Sequence, residues 1–323
     1  MNVDLLIENL SNPALLFFVL GIIAVYLKSD LEIPHNSSKF ISLYLLFAIG
    51  FKGGQELSHE EFNSEIAWSM LFGIGISLII PLYTFFILRR KLSVYDAGAI
   101  AAAYGSVSAV TFVTAASYLE AHQMVLHGHM VAIMALMESP AIIIGLLLIS
   151  FYNKSDDGTI KQSQVIKHSF TNGSVLLILG SLLIGYVADA KQAEGIKPFT
   201  NDLFKGFLAI FLLDMGVTSG KKLKAFFSFG WYPFLFALII PLFNGAVFAI
   251  LSSLVTEDVS NRFMFAILAA SASYIAVPAA MKISAPKANP GLFLPMALAI
   301  TFPINITIGM PLYYYLAQSI SLI

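Results

Sequence analysis

Long uncharged apolar runs follow one another along almost the whole chain, and they constrain its fold more than any other feature. A helix needs roughly 20 residues to cross about 30 Å of hydrocarbon, so runs of this length read as membrane spans rather than as amphipathic surface helices. The composition agrees: 58% of the 323 residues are hydrophobic and 11% are charged, where a soluble domain carries about 25% charge. A net charge of −1 leaves no basic face for a nucleic-acid backbone. The absence of cysteine excludes disulfide frameworks, thiolate metal sites and cysteine nucleophiles. Asp4 and Glu8 stand where a signal peptide would be basic, so the run from Ser11 to Leu27 reads as a retained first span.

Cutting the chain at its charged clusters predicts an all-α polytopic membrane protein with ten transmembrane helices, near 11–28, 37–57, 64–88, 94–118, 127–152, 168–188, 199–220, 230–254, 262–284 and 290–316. The last uncharged run contains Pro295, Pro303 and Pro311 and is expected to form one broken helix. Most of the 18 basic residues fall after the odd-numbered spans, including Arg89, Arg90, Lys91, Lys221, Lys222 and Lys224, whereas the opposite side has Lys52, Lys191, Lys197, Lys205 and Arg262. The positive-inside bias therefore predicts odd-numbered loops in the cytoplasm and both termini on the periplasmic or extracellular side of a bacterial plasma (inner) membrane.

The chain repeats its landmarks in order. Leu78-Ile79-Ile80-Pro81-Leu82 in span 3 recurs as Leu238-Ile239-Ile240-Pro241-Leu242 in span 8. The small-residue run Ala101–Val110 in span 4 answers Leu268–Val277 in span 9, Glu138-Ser139-Pro140 answers Thr301-Phe302-Pro303, and Asn12-Pro13 answers Asn172-Gly173. Any two apolar helices share some matches, but ordered agreement across five spans points to duplication. The expected organisation is a first five-helix repeat over 1–153, a short cytoplasmic linker over 154–167, and a second repeat over 168–323. Because each half has an odd number of spans, the repeat is a 5+5 inverted one, the architecture of many secondary transporters.

Spans 4 and 9 are small and polar at their centres: Tyr104-Gly105-Ser106-Val107-Ser108 and Ser271-Ala272-Ser273-Tyr274, the latter followed by Pro278. Such residues also line close helix contacts. Their occurrence at two repeat-related positions instead predicts broken helices 4 and 9, whose freed N–H groups would meet near the midplane and hold a small anion. Glu138 in span 5 and Asp214 in span 7 are carboxylates within spans, where burial of a charge costs at least about 2.5 kcal/mol, so each needs a cation, a donor network or a proton. Sodium suits carboxylate, hydroxyl and carbonyl oxygens. Thr301 and Asn305, one helical turn apart on one face, add candidate ligands. Lys52, near the outer end of span 2, reads as a snorkelling residue. His122, His127 and His129 lack the spacing of a helical metal motif and are expected in a solvated loop. The chain offers no water-facing nucleophile with a base, so an enzyme is not expected.

Taken in order, Gly50-Phe51-Lys52-Gly53-Gly54, Gly105-Ser106-Val107-Ser108, the acidic residue before Pro140, Met215-Gly216, Ala269-Ala270-Ser271-Ala272-Ser273 and Ala288-Asn289-Pro290 resemble the sodium-dependent bicarbonate transporter family over nearly the whole chain. The resemblance implies a homotrimer of ten-span protomers. It implies an anion site on Gly105, Ser106, Val107, Ser108, Ala272, Ser273 and Tyr274. Sodium ligands would come from Ser108, Ser271, Glu138, Thr301, Asn305 and Asp214, and a core would move as an elevator against spans 1, 2, 6 and 7. Two departures stand out. Tyr274 replaces an acidic residue of the cyanobacterial members, and the central linker is shorter, which argues against control by a PII-like partner. The sequence thus predicts sodium-coupled symport of bicarbonate, with Na+ as the co-transported ion. The alternatives are another small anion such as a carboxylate, a cation/proton antiporter using Glu138 and Asp214, and a membrane sensor without transport.

Overall fold

Helix starts in this chain are written in its polar residues. Asn12 accepts from the Ala14 N–H at 2.9 Å with Pro13 in the first turn, opening α1 (Pro13–Tyr26). The α2 helix (His35–His59) starts after Pro34, and Asn63 caps α3 (Ser64–Leu88) through the Ile66 N–H at 2.9 Å. Ser93 caps α4 (Val94–Gly105), and Ser108 caps α5 (Ala109–Ala121). Then come α6 (Gly128–Tyr152), α7 (Gly173–Val187), α8 (Ala190–Lys197), which opens with a capping box at Asp189, and α9 (Phe204–Phe226). α10 (Trp231–Leu251) is followed by α11 (Val259–Ala270), capped by Asp258, and by α12 (Ala276–Ser284).

The last segment is wound unevenly. Short α-helical pieces at Pro290–Pro295 and Phe302–Ile304 alternate with π-helical turns at Met296–Thr301 and Asn305–Gly309 before an α-helix runs from Met310 to Ile320. Prolines at 295, 303 and 311 remove donors from the helical ladder, and wider turns follow the first two.

The structure, a computed structural model, describes residues 12–153 and 173–320. The expected linker at 154–167 and the acidic N-terminal residues Asp4 and Glu8 lie outside the described residues. Among the described residues every regular element is a helix. Six stretches are long and apolar enough to cross a membrane: Ser64–Leu88, Val94–Ala121, Gly128–Tyr152, Ala190–Leu223, Trp231–Leu254 and Pro290–Ser319.

Two helix pairs are held by backbone-to-backbone contact at glycine. In α1 against α9, a Cβ on Gly21 would lie 2.3 Å from the Leu213 carbonyl, and one on Gly216 would lie 2.1 Å from the Phe18 carbonyl. In α2 against α7, a Cβ on Gly54 or Gly185 would lie 2.0 Å from the Leu182 carbonyl or 2.2 Å from the Phe51 carbonyl. Without water, helices associate by such close packing, because lipid is as apolar as leucine. The remaining helices form a second group in which α3 packs on α4 and α6, and α10 packs on α11 and the last segment. At its centre lies Val94–Ala121, which is far more deeply buried than the outer Trp231–Leu254.

Candidate anion and cation site

The helical ladder stops twice in this second group. Between α4 and α5 the chain runs through Ser106, Val107 and Ser108, with Ser106 and Ser108 extended. Between α11 and α12 it runs from Ser271, also extended, to Ile275. Gly105 ends α4 against α3, where a Cβ would fall 2.1 Å from Pro81 Cγ. Only a residue without a side chain allows that approach.

Each stop is closed by the other. The Ser108 N–H donates to Ser271 Oγ at 3.0 Å, and the Ser273 N–H donates to the Ala103 carbonyl at 2.8 Å. Ser271 sends its own proton to the Leu268 carbonyl at 3.1 Å. Helix ends leave backbone groups without partners, and here the two interruptions satisfy part of that need mutually. The serines that follow serve the first turns of the second half-helices: Ser108 caps α5, its Oγ accepting from the Thr111 N–H at 3.2 Å, and Ser273 Oγ, ahead of α12, accepts from the Val277 N–H at 3.4 Å. As acceptors toward the backbone, both keep a hydroxyl proton to give.

A cavity opens where these serines meet α6. It is lined by Val107, Ser108, Ser273 and Tyr274 from the interruptions, by Met134 and Glu138 from α6, and by Leu46 of α2 and Ile178 of α7. Its free space is about 30 Å³, so a guest of only a few heavy atoms fits without rearrangement. The Tyr274 hydroxyl faces Ser108 without hydrogen-bonding geometry, and it has no partner among the described residues. Ser106 Oγ is likewise buried and unpartnered among them.

Glu138 dominates the electrostatics. Among the described residues its carboxylate has neither a hydrogen bond nor an ion pair, and its surroundings act on it through burial alone. It sits in the turn loosened by Pro140, which cannot donate to the Leu136 carbonyl one turn earlier. The Glu138 carboxylate and the Ser108 hydroxyl, both lining the cavity, are hard oxygen donors of the kind that hold a small cation.

The other residues singled out from the sequence sit elsewhere. Ser271 lies behind the cavity, joined to Ser108, while Gly105, Ser106 and Ala272 flank it without lining it. Thr301 donates to the Ala237 carbonyl at 2.8 Å. That carbonyl lies one turn before Pro241, which has no N–H to offer it. Its proton being used there, Thr301 receives the Tyr104 hydroxyl at 2.7 Å. Asn305 gives its amide to the Ala270 carbonyl at 2.8 Å and accepts from the Tyr313 hydroxyl at 2.9 Å. Both brace the ends of α4 and α11. Asp214 accepts from Ser38, pinning α9 to α2, and does not line the cavity. Of the two carboxylates in the antiporter alternative, Glu138 lines the cavity and Asp214 does not.

Sequence reading missed Asn244. Its amide donates to the Ala269 carbonyl at 3.2 Å, next to the bond from Asn305, and its oxygen accepts from Tyr83. An asparagine three residues past the repeated proline, within an apolar span, was the available signal. Lys52, read as a snorkelling residue, lines a second cavity of about 200 Å³ with Glu56, Glu120 and Thr200, about two turns further along α2. The histidine expectation needs correction. His129 is 4% exposed and bonds Glu60 Oε2 through Nδ1 at 2.7 Å, so the segment after α5 is not simply solvated. Glu60 lies far away in sequence, beyond the reach of local spacing.

Long apolar helices define a multi-pass membrane protein, and a small cavity among them is lined by a carboxylate and two serines. Over residues 13–318 the chain matches the Na+-dependent bicarbonate transporter superfamily, and it belongs to that family. A search of curated proteins returned no match.

Proposed function

We propose that the protein carries bicarbonate into the cell together with sodium, by moving the cavity between Ser108, Ser273 and Glu138 across the membrane. The observation that carries this reading is the unpaired Glu138 carboxylate beside two half-helices whose first turns are bonded by serines. An anion at the half-helix N-termini would stand close to a second negative charge. Two like charges about 4 Å apart repel by about 4 kcal/mol at an effective dielectric of about 20. A sodium ion between them reverses that sign, so anion and cation bind well only together. In this reading Ser108, Ser273 and Tyr274, with the backbone of Gly105, Ser106, Val107 and Ala272, hold the anion. Glu138 and Ser108 hold sodium, while Ser271, Thr301 and Asn305 shape the site and Asp214 fixes the scaffold.

Symport also fits the energetics. With the interior negative, drawing in one monovalent anion costs about 2.3 kcal/mol per 100 mV, and one accompanying sodium cancels that term. The two interruptions are read as broken helices 4 and 9 of a 5+5 inverted repeat, and the packing supports this. If α1 and α7 are repeat mates, as are α2 and α9, then α1 on α9 and α7 on α2 are the same contact formed twice. These glycine-tight pairs would form the static scaffold, the other helices the moving core, and three protomers the assembly, in a bacterial inner membrane with both termini outside.

The deciding experiment is uptake of labelled bicarbonate by proteoliposomes with sodium and pH gradients imposed independently. Sodium-driven uptake is expected. Flux indifferent to sodium overturns symport, and sodium exchange driven by pH alone without anion identifies an antiporter. Competition by a panel of anions distinguishes bicarbonate from a small carboxylate, the alternative that Tyr274 raises.

A further inference from the structure

Away from the cavity, three side chains from two distant parts of the sequence converge at one end of the helices. Glu60 follows α2, and His127 and His129 flank Gly128 at the start of α6; one ligand atom from each lies within 4.8 Å of the others. The approach is built into the backbone: a Cβ on Gly128 would lie 2.2 Å from the Gly53 carbonyl and 2.4 Å from the Leu57 N, so the start of α6 rests directly on α2. Glu60 Oε1 accepts the Gly128 N–H at 2.7 Å, which orients the carboxylate toward both rings.

We propose that Glu60, His127 and His129 form a binding site for a zinc-class divalent metal ion, with Asp258 orienting His127 from behind. The donor set of two imidazoles and one carboxylate is one that zinc accepts, with a fourth position left for water. The two nitrogens of His127 are already divided between roles: Nδ1 lies 3.6 Å from Glu60 Oε1, while Nε2 lies 3.6 Å from Asp258 Oδ1. Metal-bound histidines almost always give their other N–H to a carboxylate or carbonyl, and Asp258 stands at ion-pair distance from that nitrogen. Asp258 is itself fixed, since it caps α11 through the Asn261 N–H at 2.8 Å. His129 Nδ1 shares a proton with Glu60 Oε2 at 2.7 Å, and the incoming metal replaces that proton. The other nitrogen of His129 is buried and unpartnered among the described residues.

The site would join α2 to α6, the helix that carries Glu138. On the transport reading above, α2 is scaffold and α6 is core, so a bound metal would tie the moving part to the static one and slow uptake.

The test uses the full-length protein in detergent, stripped with chelator and titrated with Co2+ alone while visible absorption is recorded. One ion per protomer is expected, with the intense bands of a four-coordinate nitrogen and oxygen site, and its affinity should fall at least about tenfold in Glu60→Gln and in His127→Gln. No saturable binding, or binding unchanged in the double variant, overturns the proposal. If a variant fails to fold, X-ray absorption at the zinc edge of the wild-type protein decides: two imidazoles are expected, and a shell of oxygen alone overturns the site. Binding does not depend on transport, so a protein that binds cobalt but shows no uptake even when stripped of metal refutes the transport reading and leaves the site standing. Undiminished uptake by metal-loaded protein overturns the tie between α2 and α6.

Discussion

The Ser108 amide donates to the Ser271 hydroxyl across 3.0 Å, joining two residues 163 positions apart at the two places where the helical ladder stops. Ser271 thus braces the wall of the cavity, while Ser273 lines the cavity and accepts from the Val277 N–H of α12 through a longer 3.4 Å bond; on the transport reading Ser273 is the one that meets the anion.

The two serines should therefore fail differently. Ser271→Ala leaves the buried Ser108 N–H without an acceptor and is expected to cost about 1–3 kcal/mol of stability, read as a lower midpoint in a thermal melt of purified protein. Ser273→Ala removes a weaker bond, so a smaller melting shift is expected alongside a larger loss of bicarbonate uptake. Equal stability losses with normal uptake in both would contradict this division.

Glu138→Gln keeps the size and hydrogen-bonding capacity of the side chain and removes its charge. Sodium stimulation of uptake should disappear, because the glutamine no longer repels the anion and no longer attracts the cation. The measurement is the uptake rate as a function of sodium concentration. A variant with the wild-type sodium curve would remove Glu138 from the coupling.

Glycine substitutions within one helix supply their own control. Gly185→Ala would place a methyl group 2.2 Å from the Phe51 carbonyl, whereas Gly180→Ala, in the same helix, meets nothing within 4 Å. Overpacking typically costs about 1–3 kcal/mol. Helical Gly→Ala in free space gains roughly 0.5–1 kcal/mol. Opposite shifts in melting temperature are expected, and equal shifts would rule out close approach of α2 and α7.

In chelator, the histidine cluster gives stability a pH dependence. Hydrogen bonding to Asp258 and then Glu60 holds the His127 imidazolium up to about 10, against about 6.5 in an unfolded chain. Its stabilisation is complete below about pH 6.5 and is lost as pH rises through about 10. For Glu60, burial pushes the carboxyl up, but bonds from His127, His129 and the Gly128 N–H outweigh it and hold the group below the usual carboxylate range. That contribution is present above about pH 4.5 and is lost on acidification. His127→Gln should flatten the fall in melting temperature between about pH 6.5 and 10, and a wild-type slope in the variant would refute the assignment.

The places where the helices stop were legible because glycine, serine and alanine crowd into otherwise leucine-rich spans at Gly105–Ser108 and Ser271–Ser273. Glu138 was legible because a carboxylate in hydrocarbon is costly wherever it falls. Thr301 and Asn305 were read as cation ligands because their face and spacing allowed it. Their actual partners, a carbonyl deprived of its donor by Pro241 and the last carbonyl of α11, depend on which helices touch. The same holds for Asp214 with Ser38 and for the histidines with Glu60, whose pairing spans 69 positions between His129 and its acceptor.

Because Ser108 leans on Ser271 and Ser273 on Ala103, neither half of the chain carries a finished cavity. A change at Ser271 is felt by the Ser108 N–H, and a change in the backbone at Ala103 is felt by Ser273, so each interruption sets what the other can tolerate. The cavity is inherited as one object, although it is encoded in two distant stretches.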